Sequence, residues 1–330
     1  MKVFIVGGTG FLGYYATLEF LNRGHEVTTI SLPDIELGDW FPKDQVEVKY
    51  GNVFKMPHDE LVELFHGYDA MVYAVGPDDR YTPKAPAYEF FHERLVVSCT
   101  EVVKAAREGG VKRCVVLNSY FAYFDRIWPE KNLAEHHPYI KCRIEQAESV
   151  IEAGGDDMDV MVLELGYIFG TMPERIPLWK DVLLERIRKM PIVMFPKGGT
   201  NMITVEHIAE AIVGAIEQGE GGKRYTIGDE NMEWKEMLRI MLDAMGLENK
   251  KILTIPTFLA TLYGKKLRKD DAKEGLEAGL DHGRLFKDLQ AEKTYLDPTP
   301  SVEALGYSRG GVREAIIETV KRCYPDGVEE

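Results

Sequence analysis

The 330 residues include 40 Lys and Arg against 54 Asp and Glu, a formal net charge of −14 at pH 7, with 45% hydrophobic and 28% charged residues. This is the composition of a globular chain with ample material for a core, and its acidic excess argues against a nucleic-acid groove, whose phosphates need a positive surface. No apolar stretch approaches the roughly 18 residues of a membrane span, and the N-terminal apolar run stops at Val6 against glycines, unlike a signal peptide. The expectation is a cytoplasmic protein with neither nucleic acid nor membrane as partner; a homodimer is left open. Cys99, Cys114, Cys142 and Cys323 form no Cys-x-x-Cys pair and read as buried thiols of a reducing compartment.

The chain opens on a β-branched run, residues 3–6, that reads as a buried strand and meets Gly7-Gly8-Thr9-Gly10-Phe11-Leu12-Gly13 at once. A helical pattern follows, with Leu12, Ala16 and Phe20 on one face, closed by Arg23-Gly24 before a second strand at 27–30. A glycine triplet alone would be an ordinary tight turn. Between a strand and a helix it points to nucleotide binding, because a side chain would hold the backbone away from a pyrophosphate and the helix N-terminus offers free N–H groups to that anion.

Further strands are expected at 46–50, 70–74, 114–117 and 160–165, with helices near 61–65, 88–108 and 139–153. Such alternation builds a parallel sheet with helices on both faces, its ligand loops gathered at the C-terminal ends of the strands. After Gly170, prolines 173, 177, 191 and 196 break the chain around an amphipathic segment at 178–189. A helix at 204–216, a strand at 224–228 and helices at 234–245 and 312–323 complete the order. Lys265-Lys266-Leu267-Arg268-Lys269-Asp270-Asp271 is expected to be a solvated face, with a ligand phosphate as the other reading. His136-His137 has no partner at metal-ligand spacing, so no metal is expected.

The glycine-rich segment resembles the fingerprint of the extended short-chain dehydrogenases/reductases, the NAD-dependent epimerase/dehydratase family, and the resemblance extends over nearly the whole chain. It implies an α/β fold, a Rossmann-type doubly wound parallel sheet with a smaller C-terminal substrate-binding region: residues 1–170 bind NAD(P), residues 171–330 mainly bind substrate, and about 203–228 return to the first domain. It implies an NAD(P)-dependent oxidoreductase or epimerase acting on a secondary alcohol or carbonyl, with a nucleotide sugar among the candidate substrates. A non-catalytic dinucleotide-binding sensor or partner protein is the alternative.

In this resemblance Gly7, Thr9, Gly10, Phe11, Leu12 and Gly13 hold the dinucleotide, and Ser31 stands where a carboxylate would accept the ribose hydroxyls of NAD. Without that acid, NADP(H) is favoured over NAD(H); Asp34, behind a proline, reads as a turn residue. Asn52 and Val53 resemble the element lining the adenine, and Ala74, Val75 and Gly76 the strand end passed by the cofactor. Pro138-Tyr139-Ile140-Lys141-Cys142-Arg143 resembles the family's Pro-Tyr-x-x-Ser-Lys helix with arginine in place of lysine. Tyr139 is thereby the acid/base and Arg143, four residues on, the cation beside it. Ser119 and Tyr120 fall near the family's substrate-binding hydroxyl; Tyr120 either donates that hydrogen bond or walls an apolar pocket with Phe121, Tyr123 and Phe124. Gly166, Tyr167 and Ile168 resemble the segment passing the nicotinamide, where Glu164 replaces the family's arginine.

Overall fold

The computed structural model describes residues 1–325, 327 and 328. Val3, Phe4, Ile5 and Val6 are all buried, yet they serve two cores: Val3 and Ile5 face one side of the sheet, Phe4 and Val6 the other. A strand covered on both faces calls for such an unbroken apolar run. In chain order the strands begin with β1 (Lys2–Val6), β2 (Glu26–Ser31), β3 (Val46–Tyr50), β4 (Ala70–Tyr73), β5 (Arg113–Ser119) and β6 (Asp159–Leu165). There follow β7 (Tyr167–Phe169), β8 (Val193–Pro196), β9 (Gly199–Thr204), β10 (Arg224–Ile227), β11 (Glu230–Glu233), β12 (Ile252–Ile255) and β13 (Lys293–Thr294).

The large sheet has seven strands in the order β10-β6-β5-β4-β1-β2-β3, and every neighbouring pair is parallel. From β1 the chain runs outward through β2 and β3, then returns to build the other half from β4. The loops leaving β1 and β4 diverge at that reversal, which opens a crevice at the C-terminal edge. This is the doubly wound sheet that the alternation predicts. β3 spans the expected residues, whereas β5 runs on past the apolar stretch to Asn118 and Ser119. Those polar residues stay in the ladder because β6 pairs with them, Asn118 opposite Glu164 and Ser119 opposite Leu165.

The early helices are α1 (Phe11–Asn22), α2 (His58–Leu64), α3 (Ala87–Phe91), α4 (Ser98–Glu108), α5 (Phe121–Ile127), α6 (Leu133–His136) and α7 (Pro138–Gly154). A wider π-helical turn, His92–Val97, joins α3 to α4, so the helix expected at 88–108 is continuous but locally expanded. Later helices are α8 (Glu185–Lys189), α9 (Val205–Gln218), α10 (Trp234–Ala244) and α11 (Thr257–Lys273). Side chains of α1 and α9 cover one face of the large sheet; those of α2, α4 and α7 cover the other.

A smaller sheet is centred on β9, with β11 and β13 beside it and β7 pairing at its far end. It packs on a separate core that includes Phe169, Trp179, Trp234, Met237 and Ile316. All four cysteines are buried and free. No described helix is long and apolar enough to cross a membrane, and no cluster of three or more His, Cys, Asp or Glu among the described residues is placed to hold a metal.

Candidate active site

The crevice is edged by glycines with different tasks. Gly7 has φ +92, a left-handed backbone that strains any other residue, and a Cβ there would overlap Val75 Cγ1. A Cβ on Gly13 would fall on the Gly7 carbonyl oxygen, so Gly13 lets α1 lie against the end of β1. Gly8 donates its N–H to Thr29 Oγ1 at 2.9 Å. Gly10 is unlike these: a Cβ would meet only Gly7 O, at 3.2 Å, with open space beyond. Gly10 also precedes the first turn of α1, where no side chain caps the helix. Open space before an uncapped helix N-terminus is what a dinucleotide pyrophosphate requires, and the residues present fit it.

Around this cradle the Thr9 hydroxyl lies 3.2 Å from that of Ser31, and both side chains are buried. Phe11 and Leu12 are half-buried on the first turn of α1. Asn52 accepts the Phe54 N–H at 3.0 Å, closing its own turn beside buried Val53. Ala74 donates its N–H to Val6 O at 2.9 Å, and Val75 then passes over Gly7 before Gly76 turns with φ +136. Gly166 donates to Ile227 O at 3.1 Å, and Tyr167 and Ile168 follow it half-buried. Each group follows the C-terminal end of a parallel strand, so the sheet gathers residues far apart in sequence along one edge.

Tyr139 and Arg143 lie one turn apart on α7, whose first residue is Pro138, where a missing N–H removes no helical bond. Both are buried, and Arg143 Nε donates to the Tyr139 hydroxyl at 2.9 Å. Arg143 Nη1 donates to Leu117 O at 3.2 Å and to Gln146 Oε1 at 2.8 Å, so three contacts fix the guanidinium. The Tyr139 oxygen is an acceptor toward Arg143, which leaves its own proton free to be given elsewhere. Burial pushes the phenol up to about 12; Arg143 pulls against that rise and Asp79 and Asp78 add to it.

Ser119 is buried at the end of β5, its hydroxyl accepting the Phe121 N–H at 3.4 Å. Tyr120, 2% exposed, places its hydroxyl 2.6 Å from Thr200 Oγ1, which lies 2.9 Å from Thr294 Oγ1. That phenol therefore ties the large sheet to the smaller one, while its ring packs against Phe121 and Phe124 in the cluster that also holds Tyr139. Glu164, fully buried, receives a two-pronged bond from Arg126 of α5, at 2.6 and 2.7 Å.

Three groups outside the motifs sit against this site. Asp79 is half-buried on the loop after β4; burial above all pushes its carboxyl up to about 6, Arg80 opposing and Asp78 reinforcing. The same carboxylate raises the Tyr139, Tyr120 and Tyr167 phenols. Arg175 Nη2 donates to Thr9 O at 3.1 Å, which brings a cation to the glycine loop. His137, fully buried just before α7, accepts the Asp281 N–H on Nδ1 at 3.0 Å, with Nε2 3.5 Å from Asp288 Oδ2. Tyr139 N–H donates to Gly279 O at 3.0 Å, so the C-terminal region holds the start of the tyrosine helix. A signal existed for Asp79: Asp78-Asp79-Arg80 is a charged triplet directly behind a strand end. Arg175 and the partners of His137 come from distant segments and carried no local mark.

Known proteins resemble the chain along its length. A family described as NAD(P)H-binding matches residues 7–176. A decarboxylating sterol-4-alpha-carboxylate 3-dehydrogenase of Mus musculus is 23% identical over 276 residues, 78% of this chain and 72% of that protein. A 4-hydroxy-2-methyl-3-oxo-4-farnesyl-3,4-dihydroquinoline-1-oxide ketoreductase of Stigmatella aurantiaca is 23% identical over 343 residues, 99% of this chain and 98% of the relative. Among solved structures, gox2253 superposes with a TM-score of 0.78 at 16% identity, covering 99% of this chain and 98% of the other. The Bordetella bronchiseptica enzyme WbmH, in complex with NAD+, gives 0.69 at 17% identity with 99% of both chains covered. The chain belongs to the NAD(P)H-binding family, within the extended short-chain dehydrogenases/reductases.

Proposed function

We propose that the protein is an NAD(P)-dependent oxidoreductase or epimerase, with Tyr139 as its acid/base and a secondary alcohol or carbonyl of a small molecule as its substrate. The observation that carries this is the 2.9 Å bond from Arg143 Nε to the Tyr139 hydroxyl at the edge of the crevice. Gly7, Gly10 and Gly13, with the α1 N-terminus, hold the pyrophosphate; Asn52 and Val53 line the adenine; Gly166, Tyr167 and Ile168 pass the nicotinamide. Bound there, the dinucleotide supplies or takes the hydride.

Tyr139 gives its proton to the oxygen of the reacting carbon in reduction and takes it back in oxidation. Arg143 keeps the phenol oriented and favours the phenolate left behind. Glu164 and Arg126 neutralise one another, which holds the end of β6 in place without adding net charge. Ser119 and Tyr120 remain part of the proposed substrate side. The Tyr120 hydroxyl, joined to Thr200, serves there mainly by placing its ring.

NADP(H) is the proposed preferred cofactor. Ser31 offers no carboxylate to repel a 2′-phosphate, and Arg175, exposed beside Thr9, can reach an anion at that side of the loop. Tyr81 stacked on Phe90 with ring centroids 5.0 Å apart, and Tyr167 beside Trp179, favour a substrate with an apolar ring face. The ketoreductase relative, matched over nearly its whole length, supports the same choice. A nucleotide sugar is the second reading, favoured by the UDP-glucose 4-epimerase of Klebsiella pneumoniae, 27% identical over 138 residues. We place the protein in the cytoplasm, in keeping with its free thiols, and a homodimer remains part of the proposal, to be read by light scattering.

The test is turnover of a panel of ring ketones and UDP-sugars with NADPH and NADH, by the parent and by Tyr139→Phe. Loss of turnover with cofactor affinity retained supports the assignment. A parent that binds the dinucleotide and turns over nothing, with Tyr139→Phe indistinguishable in every respect, favours the non-catalytic sensor instead.

A further inference from the structure

The helix α11 covers remarkably little core for its length of 17 residues: only Ala260 and Gly264 are buried. Phe258, Leu262, Lys265 and Lys269 recur at the spacing that keeps side chains on one helix face, and that face points outward, with Phe258 63% and Leu262 58% exposed. Next to it, β8 and β12 pair in parallel with Met194 opposite Leu253, both more than half exposed. Pro256 leads from β12 directly into α11, so the two surfaces adjoin. Arg186 Cζ of α8 lies 5.5 Å from the Tyr263 ring centroid, which brings a further cation against α11. Single exposed apolar residues are ordinary, but a protruding cluster of them marks a surface that meets something apolar.

The charges around the cluster say what that is. The acidic residues on the last turns of α11 are engaged: Asp270 by Lys273 at 2.6 Å and Asp271 by His282 at 2.7 Å. Lys265 and Lys287 line one shallow groove with Phe258 and Leu262. Among the described residues, neither they nor Lys266 and Lys269 form an ion pair. In a chain of net charge −14, a local set of unpaired lysines beside protruding Phe and Leu side chains is a reversal of sign.

We propose that α11 and the adjoining β8–β12 edge seat the protein on an anionic lipid bilayer, the apolar side chains entering the headgroup boundary and the lysines meeting lipid phosphates. Phe258 and Leu262 occupy the first turns of that face and Lys265 and Lys269 the later ones, so an apolar end and a lysine-bearing end of the same exposed face meet the headgroup boundary together. α11 lies along the surface and does not span it, in keeping with the absence of any long apolar helix among the described residues. Protruding side chains suit a fluid boundary better than a rigid protein partner, which would need a fitted cavity for each. The acidic remainder of the molecule is repelled by the same lipids, so attachment has one orientation.

The experiment is sedimentation of the full chain with vesicles of phosphatidylcholine alone and of an equimolar mixture with phosphatidylglycerol. The parent should partition onto the anionic vesicles, weakly onto the neutral ones, and be released by salt. Each lysine near an anionic surface contributes about five-fold, so Lys265→Gln with Lys266→Gln and Lys269→Gln should lower partition about a hundred-fold. Phe258→Ser with Leu262→Ser should lower it at least about ten-fold. Both variants alter exposed groups, and NADPH affinity and melting temperature should match the parent. No binding to anionic vesicles, or binding indifferent to both sets of changes, overturns the proposal. So does a parent that is dimeric in solution and becomes monomeric in Phe258→Ser/Leu262→Ser, since the face then belongs to a second copy.

Discussion

Replacing Gly10 by valine separates a phosphate cradle from an ordinary tight turn. Gly10 has φ −87 and ψ 172, an extended backbone that valine adopts readily. Its Cβ would lie 3.2 Å from Gly7 O and within 4 Å of no other side chain or backbone group outside its own neighbours. The fold should therefore survive, with the less favourable cap lowering stability by about 1 kcal/mol, roughly 2–4 °C in melting temperature. Cofactor binding is another matter, because both methyl groups occupy the space through which the pyrophosphate approaches the α1 N–H groups. Loss of that approach should weaken NADPH by at least about a hundred-fold, ~3 kcal/mol. Gly13→Ala is the contrasting variant: its Cβ would land on the Gly7 carbonyl oxygen and 2.7 Å from the carbonyl carbon. That contact is backbone on backbone, so the loss should appear first in stability, on the order of 3 kcal/mol. Thermal unfolding and titration of NADPH by its fluorescence, run on both variants, give the two readouts. A Gly10→Val protein that binds NADPH as the parent does would place the dinucleotide elsewhere and refute the reasoning.

Arg143→Lys should retain partial turnover, because lysine keeps the charge but cannot make all three guanidinium contacts. With the phenolate less favoured, the Tyr139 pKa rises further, and the pH optimum of the oxidative direction should move upward; an unchanged pH–rate profile would separate Arg143 from the chemistry. Asp79→Asn tests the raised carboxyl: the folded state holds its proton up to about pH 6, so the parent loses stability as pH climbs from the unfolded value near 4 through that window. The variant should match the parent near pH 4 and exceed it by about 1 kcal/mol near pH 8 in urea unfolding; equal stability at both would leave the Asp79 charge without consequence. Arg175→Glu should weaken NADPH about ten-fold more than NADH in paired calorimetric titrations, whereas equal losses would place the cation away from the 2′-phosphate.

The sheet was legible because its inner strands are buried on both faces, and burial leaves an apolar run between turn residues. Val46–Tyr50 and the terminal helix Val312–Cys323 stand where the residue pattern puts them. The end of β5 was not legible in that way: Asn118 and Ser119 look like loop, yet Asn118 donates to Arg143 O at 2.9 Å and Gln146 Oε1 at 3.0 Å inside the fold. α11 escaped the periodicity for the opposite reason, since a helix that buries only an alanine and a glycine leaves no apolar stripe. Tyr139 and Arg143 could be paired on paper because they share one helix. The Tyr120–Thr200 contact spans 80 residues and the His137–Asp281 contact 144. Such pairs are created by the packing of two regions and leave no spacing to read.

The departures from the family pattern are easier to understand together than one at a time. Arginine replaces lysine at 143, so the charge beside Tyr139 is kept while its geometry broadens into three fixed contacts. Glutamate replaces arginine at 164, and Arg126 answers it from α5, so that position becomes a neutral pair where the resemblance implies a lone cation. At the tyrosine itself, Asp79 adds negative potential from the loop after β4. Burial above all disfavours a standing tyrosinate, and Asp79 acts in the same direction against Arg143. In the proposed reaction Tyr139 therefore rests as a protonated phenol, its oxygen already bonded to Arg143 and its proton available. In that proposal, the resting state suits a proton donor to a carbonyl oxygen.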